Sequence, residues 1–567
     1  MIATLKAYLD ITRLTQRQIM MLASLAMLGG ALNVCLIALI TAALKIDTAA
    51  ELPALAISFA FVGGVLLLCQ DYTQGRVARL AEASAAAVRE QLIHALDGAR
   101  LLDLERLPHT VKQAAVGRDV DILATALAGL IGFVASSTTV VCALLYMAFL
   151  FPLGALGVIA VIVLAIALYR RKLTVLMVEL SDAQVEYDRF FRLSEDLLLG
   201  QKELKMDRSW ASYFLQQDVL SSLRQAEQAL GRVKQRQQRA SLLGTASFLM
   251  LLGGATFLLI LNGQVEHGVS TGFVLALILL NSPIQTAVSQ LPALGATMVS
   301  MRRIAATLTQ LRRQPEVFEI GRVLPKDWQQ LRLRHLTFTY EYHEDQGTDA
   351  ATPKPALRNF SLDIRRGDLV FLVGGNGSGK TTLAKLILGL YEPSQGGIWL
   401  DDHQVGPMSL TAYRGQFSTV FSDAHLFSRG FDDLPDDTLA EHRSLLRQLR
   451  LSPKLDAKGC FDTKALSQGQ KKRLALACAM VDDKPILLLD EWTADQDPEF
   501  RAMFYESFLV RWRQSDKTVI VITHDDRYFH HADLLVTLED GCLRSVVRQP
   551  RTTAGTSSVP GGICSAV

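Results

Sequence analysis

Gly374-Gly-Asn-Gly-Ser-Gly-Lys380, followed by Thr381 and Thr382, comes directly after the apolar run Leu369–Val373. The spacing fits G-x-x-x-x-G-K-[ST]. In that pattern glycines let backbone N–H groups wrap phosphates, the lysine reaches the terminal phosphates, and a hydroxyl holds Mg²⁺. Gly374, Asn376, Gly377, Ser378, Gly379, Lys380, Thr381 and Thr382 are therefore expected to bind a nucleoside triphosphate, with Thr381 as a metal ligand. A second chemical group follows the run Ile486–Leu489, four large aliphatics that predict a fully buried parallel strand. That run ends on Asp490 and Glu491. The C-terminal edge of such a strand is where open α/β sheets bind ligands. Asp490 is expected to hold Mg²⁺, directly or through water, and Glu491 to polarise the water that attacks the γ-phosphate. With Lys380 they make a minimal set for phosphoryl transfer, which needs positioning and charge neutralisation more than covalent chemistry.

An α/β domain must position these groups, and from about residue 331 short β-rich runs do alternate with helical ones. The rest of the 567-residue chain reads differently: half of all residues are apolar, and they concentrate before residue 300. Six apolar runs, near 20–44, 52–73, 126–150, 153–169, 241–262 and 271–293, approach the roughly 20 residues needed to cross a bilayer. Only Phe151-Pro152 separates the third from the fourth. Lys and Arg mark the cytoplasmic side. The N-terminal arm carries Lys6, Arg13 and Arg17, and the connections 76–118 and 170–239 carry seven and thirteen basic residues, while the opposite connections hold Lys45 alone. Both termini are thus expected in the cytoplasm. The two long connections read as charged helices extending the spans, with tips near 100–115 and 192–208 docking on the nucleotide domain.

The fold class is accordingly a multi-domain membrane protein, a six-helix all-α transmembrane domain followed by an α/β P-loop ATPase domain. The expected boundaries are 1–310 for the membrane domain, 311–330 for a charged connector, 331–550 for the nucleotide domain and 551–567 for a disordered tail. Asn33, Ser136, Ser137, Thr138, Thr139, Thr256, Asn281 and Ser282 lie in the spans. They either line a substrate cavity or bond between helices and to their own backbone. The single acidic residue in the spans is Asp71, at the very end of the second run, which gives a proton- or sodium-coupled carrier little support. The net charge of +2 argues against a nucleic-acid partner. Seven cysteines without a C-x-x-C pair suggest free thiols.

Leu466-Ser-Gln-Gly-Gln470 resembles the signature pentapeptide of ATP-binding cassette (ABC) proteins. Together with the P-loop, the acidic pair and the upstream spans, it makes the chain resemble ABC exporters with fused membrane and ATPase domains. That resemblance implies several roles. Tyr340 stacks on adenine, His524 after the strand Thr518–Thr523 contacts the γ-phosphate, and Asp497 belongs to the loop that crosses to a partner. Ser467, Gly469 and Gln470 close over a nucleotide held by a second domain. One copy of each motif then requires two chains, and an intact Glu491 and signature favour a homodimer with composite ATP sites. Leu199-Gly-Gln-Lys-Glu-Leu-Lys205 and Asp490-Glu-Trp-Thr-Ala-Asp-Gln-Asp-Pro-Glu-Phe500 resemble segments of the cyclic-peptide exporters, which move lipopeptides, siderophore precursors and microcins across the bacterial inner membrane. Two departures stand out. Ser422 occupies the place of the usual metal-touching glutamine, Gln416 being six positions too early. Phe461–Leu466 lacks the usual glutamate-glycine pair.

The reading is an ATP- and Mg²⁺-dependent exporter of a peptide-type substrate in the bacterial inner membrane. A lipid or lipid-linked flippase, a siderophore importer of the same fold and an ATP-regulated channel or sensor are the alternatives.

Overall fold

The computed structural model describes residues 12, 14–44, 51–261, 267–312, 315–316, 324–325, 327–340, 355–426, 445–451 and 466–550. The tail after Arg551, much of the connector and the stretch Phe461–Ala465 lie outside the described residues. The chain forms two compact units.

The first unit, Met1–Asp97 with Arg106–Arg313, is helical. Its long helices are Gln16–Ala43, Leu52–Asp97, Arg118–Leu150, Pro152–Leu199, Leu220–Leu261 and His267–Leu311. At 1.5 Å per residue, the 46 residues of Leu52–Asp97 extend roughly 70 Å, well past a hydrocarbon core of about 30 Å. Among the described residues, Gln16–Ala43, Leu52–Asp97, Val111–Leu150 and Val269–Leu311 are long and apolar enough to cross a membrane, and Pro152–Leu164 is a shorter apolar helix. The expected run at 241–262 falls on Leu220–Leu261, where many side chains are not described. A single residue, Phe151, joins Leu150 to Pro152. Its extended backbone (φ −152°, ψ 92°) breaks the helix, and proline opens the next one, where its missing N–H has no helical partner to lose. Thr138, Thr139 and Thr256 bond back to the carbonyls of Val134, Ala135 and Leu252, the plainer of the two roles considered for them, and Thr139 also lines a cavity. Asp188 pairs with Arg118 at 3.1 Å and Arg303 at 3.3 Å, tying three long helices together.

The second unit comprises Gly98–Glu105 and Gln314–Val567. A six-stranded sheet runs β10-β9-β3-β8-β7-β6, where β3 is Leu369–Gly374, β6 Phe417–Val420, β7 Ile486–Asp490, β8 Thr518–Ile522, β9 Leu534–Glu539 and β10 Cys542–Arg548. All its pairings are parallel except β9 with β10. A four-stranded antiparallel sheet, β2-β1-β4-β5, is built from Gln330–Phe338 (β1), Leu357–Arg365 (β2), Gln395–Leu400 (β4) and His403–Gln404 (β5).

The strand period of two sorts the apolar runs onto both faces of the larger sheet. Val370, Leu372, Leu488 and Ile520 join the cluster shared with the antiparallel sheet. Leu369, Phe371, Leu487, Leu489 and Val521 join a second cluster with Trp492, Phe500, Phe504 and Trp512. Burial on both faces is what a continuous aliphatic strand requires.

Gly98–Glu105, the start of the first expected docking tip, belongs to this second unit. Ala99 bridges Pro315, the Glu316 amide donates to the Gly98 carbonyl at 2.8 Å, and Arg100 pairs with Glu392 at 2.8 Å. Leu101 and Leu102 pack on the core of the smaller sheet. Residues 192–208 belong to the helical unit.

Trp492 is 1 % exposed and its indole N–H donates to the Lys472 carbonyl at 2.7 Å. Replacing Trp492 by alanine would open a cavity beside Phe504 and strip that carbonyl of its partner. The expected cost is about 3–5 kcal/mol, read as a lower Tm of the full chain in detergent. An unchanged Tm would contradict the packing.

Candidate functional site

Three neighbouring parallel strands bring the expected residues to one sheet edge. Leu372 pairs with Ile522, and Ile522 with Asp490. Their C-terminal ends therefore deliver the loop after Gly374, His524 and the pair Asp490–Glu491 side by side. The loop Gly374–Gly379 leads straight into the helix Lys380–Ile387. Gly375, Asn376 and Gly377 form its exposed lip, and Ser378 and Lys380 are buried beneath. The Lys380 ammonium donates to the Gly374 and Gly375 carbonyls, each at 2.9 Å. Burial lowers its pKa, while the nearby carboxylates of Glu491 and Asp490 oppose that shift.

Asp490 is 2 % exposed. Its Oδ2 accepts from the Ser422 hydroxyl at 3.4 Å, and Oδ1 has no hydrogen-bond partner. Burial raises its carboxyl pKa, and the charge of Glu491 raises it further. Glu491 follows with a left-handed backbone (φ +46°), a conformation costing about 1–3 kcal/mol for such a side chain. Its amide donates to the Ile522 carbonyl at 3.1 Å, and Oε1 lies 3.1 Å from His524 Nε2.

A buried carboxylate oxygen with nothing to accept from is costly unless a ligand completes it. The Ser378 hydroxyl is also buried without a partner. Thr381 is exposed, whereas the Thr382 hydroxyl lies 3.0 Å from that of Tyr340. Ser422 and Asp490 meet as a pair of hard oxygen donors at this edge, and Thr381 follows the phosphate loop. Such a set suits Mg²⁺, which is held by one or two protein groups plus phosphate oxygens and water.

The signature residues build a separate but attached piece. Ser467 caps the helix Gln468–Val481 in a capping box, its hydroxyl accepting from the Gln470 amide and its own amide donating to Gln470 Oε1. A Cβ on Gly469 would stand 2.7 Å from the Asp495 carbonyl oxygen, so this approach requires glycine. Among the described residues, Ser467, Gly469 and Gln470 share no hydrogen bond with the phosphate loop. Asp497 caps the short helix Pro498–Met503 through the Phe500 amide and pairs with Arg473 at 2.5 Å.

Sequence reasoning missed Lys472, Arg473 and Gln496. The Lys472 ammonium reaches the Glu491 carbonyl at 3.1 Å and Asp495 at 2.7 Å. Arg473 donates to Gln496 at 2.7 Å and lies 3.8 Å over the Phe500 ring. Gln496 donates to the Gly469 carbonyl at 3.2 Å. The only cue was that two basic residues sit where helical spacing turns them toward a buried face.

Gly379 has φ +95°, and a Cβ there would meet the Ala356 carbonyl oxygen at 2.9 Å. Gly379→Ala should therefore distort the loop and weaken nucleotide binding at least roughly tenfold, since a non-glycine residue here is strained by about 1–3 kcal/mol. Equilibrium binding of labelled ATP checks this, and wild-type affinity would refute it.

Residues 357–494 match the family model described as ABC transporter. The chain is 35 % identical over 378 residues to the ATP-binding protein SyrD of Pseudomonas syringae pv. syringae, covering 64 % of this chain and 65 % of that protein. An ATP-dependent lipid A-core flippase of Ralstonia nicotianae is 32 % identical over 295 residues, covering 49 % and 47 %. The matched stretch thus spans under two thirds of the first relative and about half of the second. The fold resembles a solved bacterial Atm1-family ABC exporter with ATP bound, at TM-score 0.73 and 18 % identity, over 94 % of this chain and 95 % of that one. Residues 357–494 thus carry the ABC transporter match, and the whole chain is similar in fold to an exporter that has membrane helices ahead of an α/β ATPase domain.

Proposed function

We propose that this protein is an ATP-driven exporter of a peptide-type substrate, a cyclic peptide, lipopeptide or siderophore precursor. It acts as a homodimer in the bacterial inner membrane with both termini in the cytoplasm. The observation that carries the ATPase reading is the meeting of Lys380, Ser422, Asp490, Glu491 and His524 at one sheet edge. Lys380 and the loop amides hold the phosphates, and Tyr340 stacks on the adenine. Glu491 takes the attacking water, and His524 orients its carboxylate. Mg²⁺ held by Thr381, Asp490 and Ser422 neutralises phosphate charge when bound. Ser467, Gly469, Gln470 and Asp497 serve the nucleotide of the second copy.

A second copy also accounts for the tip of the second cytoplasmic connection. Leu199 is 77 % exposed, Met206 88 % and Trp210 50 %, an apolar patch that needs cover and fits the ATPase domain of the other chain.

The substrate reading draws on the helical unit. A cavity of about 540 Å³ is lined by Asn33, Gln70, Gln74, Ser136, Ser282 and apolar neighbours, and none of its lining residues is ionisable as an acid or base of the Asp, Glu, Lys, Arg or His type. Neutral amides and hydroxyls suit the backbone amides of a compact peptide, whereas a phosphorylated headgroup calls for Arg or Lys. The likeness to lipid A-core flippases keeps a lipid flippase as the second reading, ahead of siderophore import.

ATP-driven uptake of a labelled cyclic peptide into inside-out vesicles tests this. Uptake should require ATP and vanish with Glu491→Gln, which should slow hydrolysis by about 100-fold or more yet still bind ATP. Lys380→Ala should instead lose binding. Lipid-stimulated ATPase without peptide uptake would move the assignment to a flippase.

A further inference from the structure

The helix carrying Lys380 also carries Lys385, whose ammonium donates to Glu105 at 2.8 Å and to the Tyr391 hydroxyl at 3.1 Å. Glu105 lies at the end of Gly98–Glu105, the part of this same unit that falls between two long helices in sequence, 280 residues away from Lys385. Its second carboxylate oxygen accepts from the Tyr391 hydroxyl. Tyr391 is 3 % exposed, and the Lys385 ammonium lies 5.0 Å over its ring. Burial raises the phenol pKa, and the hydrogen bond to Glu105 adds to the shift, so this group stays a donor. The Tyr391 hydroxyl is buried while Glu105 stays exposed, and a phenol donating to a carboxylate makes a directional bond.

The far side of Tyr391 faces the residue expected to hold the base. Its ring stacks on Phe338 (5.1 Å, 14°) and meets Tyr340 edge-on (6.1 Å, 90°). Phe338 also meets Tyr340 edge-on, at 5.0 Å. Tyr340 is therefore boxed by two aromatic rings and pinned by its hydroxyl to Thr382. Of those two rings, Tyr391 is the one anchored to the segment Gly98–Glu105.

We propose that Glu105 is a positioning residue of the nucleotide site: through Tyr391 it fixes the ring of Tyr340 against which the base stacks. The first cytoplasmic connection thereby sets the affinity for the base, while the phosphate grip stays with the loop. This rests on the reading of Tyr340 as the stacking residue. It also supplies a link between connection and nucleotide in a chain whose Ser422 is too short to act as the usual glutamine does.

The test uses the full chain in lipid nanodiscs on a Glu491→Gln background, so that ATP is not consumed. Affinities for labelled ATP and, by competition, for inorganic tripolyphosphate are compared. Tyr340→Ala gives the full size of the stacking contribution. Glu105→Ala and Tyr391→Leu should each weaken ATP roughly three- to tenfold, a part of the stacking contribution, and leave tripolyphosphate unchanged. Glu105→Gln, which keeps an acceptor for the phenol, should recover most of the loss. Parallel weakening of ATP and tripolyphosphate would mark a merely structural role and overturn the proposal. So would unchanged ATP affinity in both variants while Tyr340→Ala weakens it. If Tyr340→Ala itself has no effect, the stacking role falls and the proposal with it.

Discussion

The in-register parallel pairing of β3, β8 and β7 is the constraint on which the rest of the ATPase domain depends. Strands of a parallel sheet end together, so pairing Leu372 with Ile522 and Ile522 with Asp490 brings three distant segments to one line. A one-residue slip would turn each strand over. It would exchange Val370 and Leu372 for Phe371 in the core and aim Asp490 at the opposite face. Aliphatic burial on both faces of the sheet is thus what holds the carboxylates to their geometry.

A second layer of organisation joins the chemistry at Glu491 to the signature helix. Lys472 and Trp492 bond across it in opposite directions, the Lys472 ammonium donating to the Glu491 carbonyl and the Trp492 indole N–H donating back to the Lys472 carbonyl. Arg473, Gln496 and Asp497 extend the staple along the following loop. The segment that holds the acidic pair and the helix that presents the signature therefore move as one body. That body carries both the acidic pair and the signature residues. Trp492, buried and bonded to the helix, is the residue that seals the joint.

The phosphate loop, the acidic pair, the buried strands and the signature cap were legible because each is a local pattern whose physics sits within a dozen residues. Glu105 was not legible as a partner of Lys385 and Tyr391, since nothing local marks one acidic residue in a charged helix among many. Lys472 and Arg473 hid for a related reason: a basic pair on a helix reads as solvated until the segment after β7 supplies the Glu491 carbonyl and the Gln496 side-chain oxygen. The threonines of the spans showed the reverse limit. Their polarity hinted at a cavity, and Thr139 does line it together with Asn33, Ser136 and Ser282, but Thr138 and Thr256 do not, while Gln70 and Gln74, at the edge of and beyond the apolar run, line it unforeseen. Composition along a helix does not say which way a side chain faces.

The one-residue joint at Phe151 has a consequence for how the protein is made. With Leu150 ending one apolar helix and Pro152 starting the next, there is no hydrophilic segment between them to carry across a bilayer. The two helices must enter the membrane as a hairpin, already paired, in a single insertion event. Whichever side the turn faces, it offers neither a cleavage site to a protease nor room for a tag, and a polar insert placed there would have to be hauled through the hydrocarbon during synthesis.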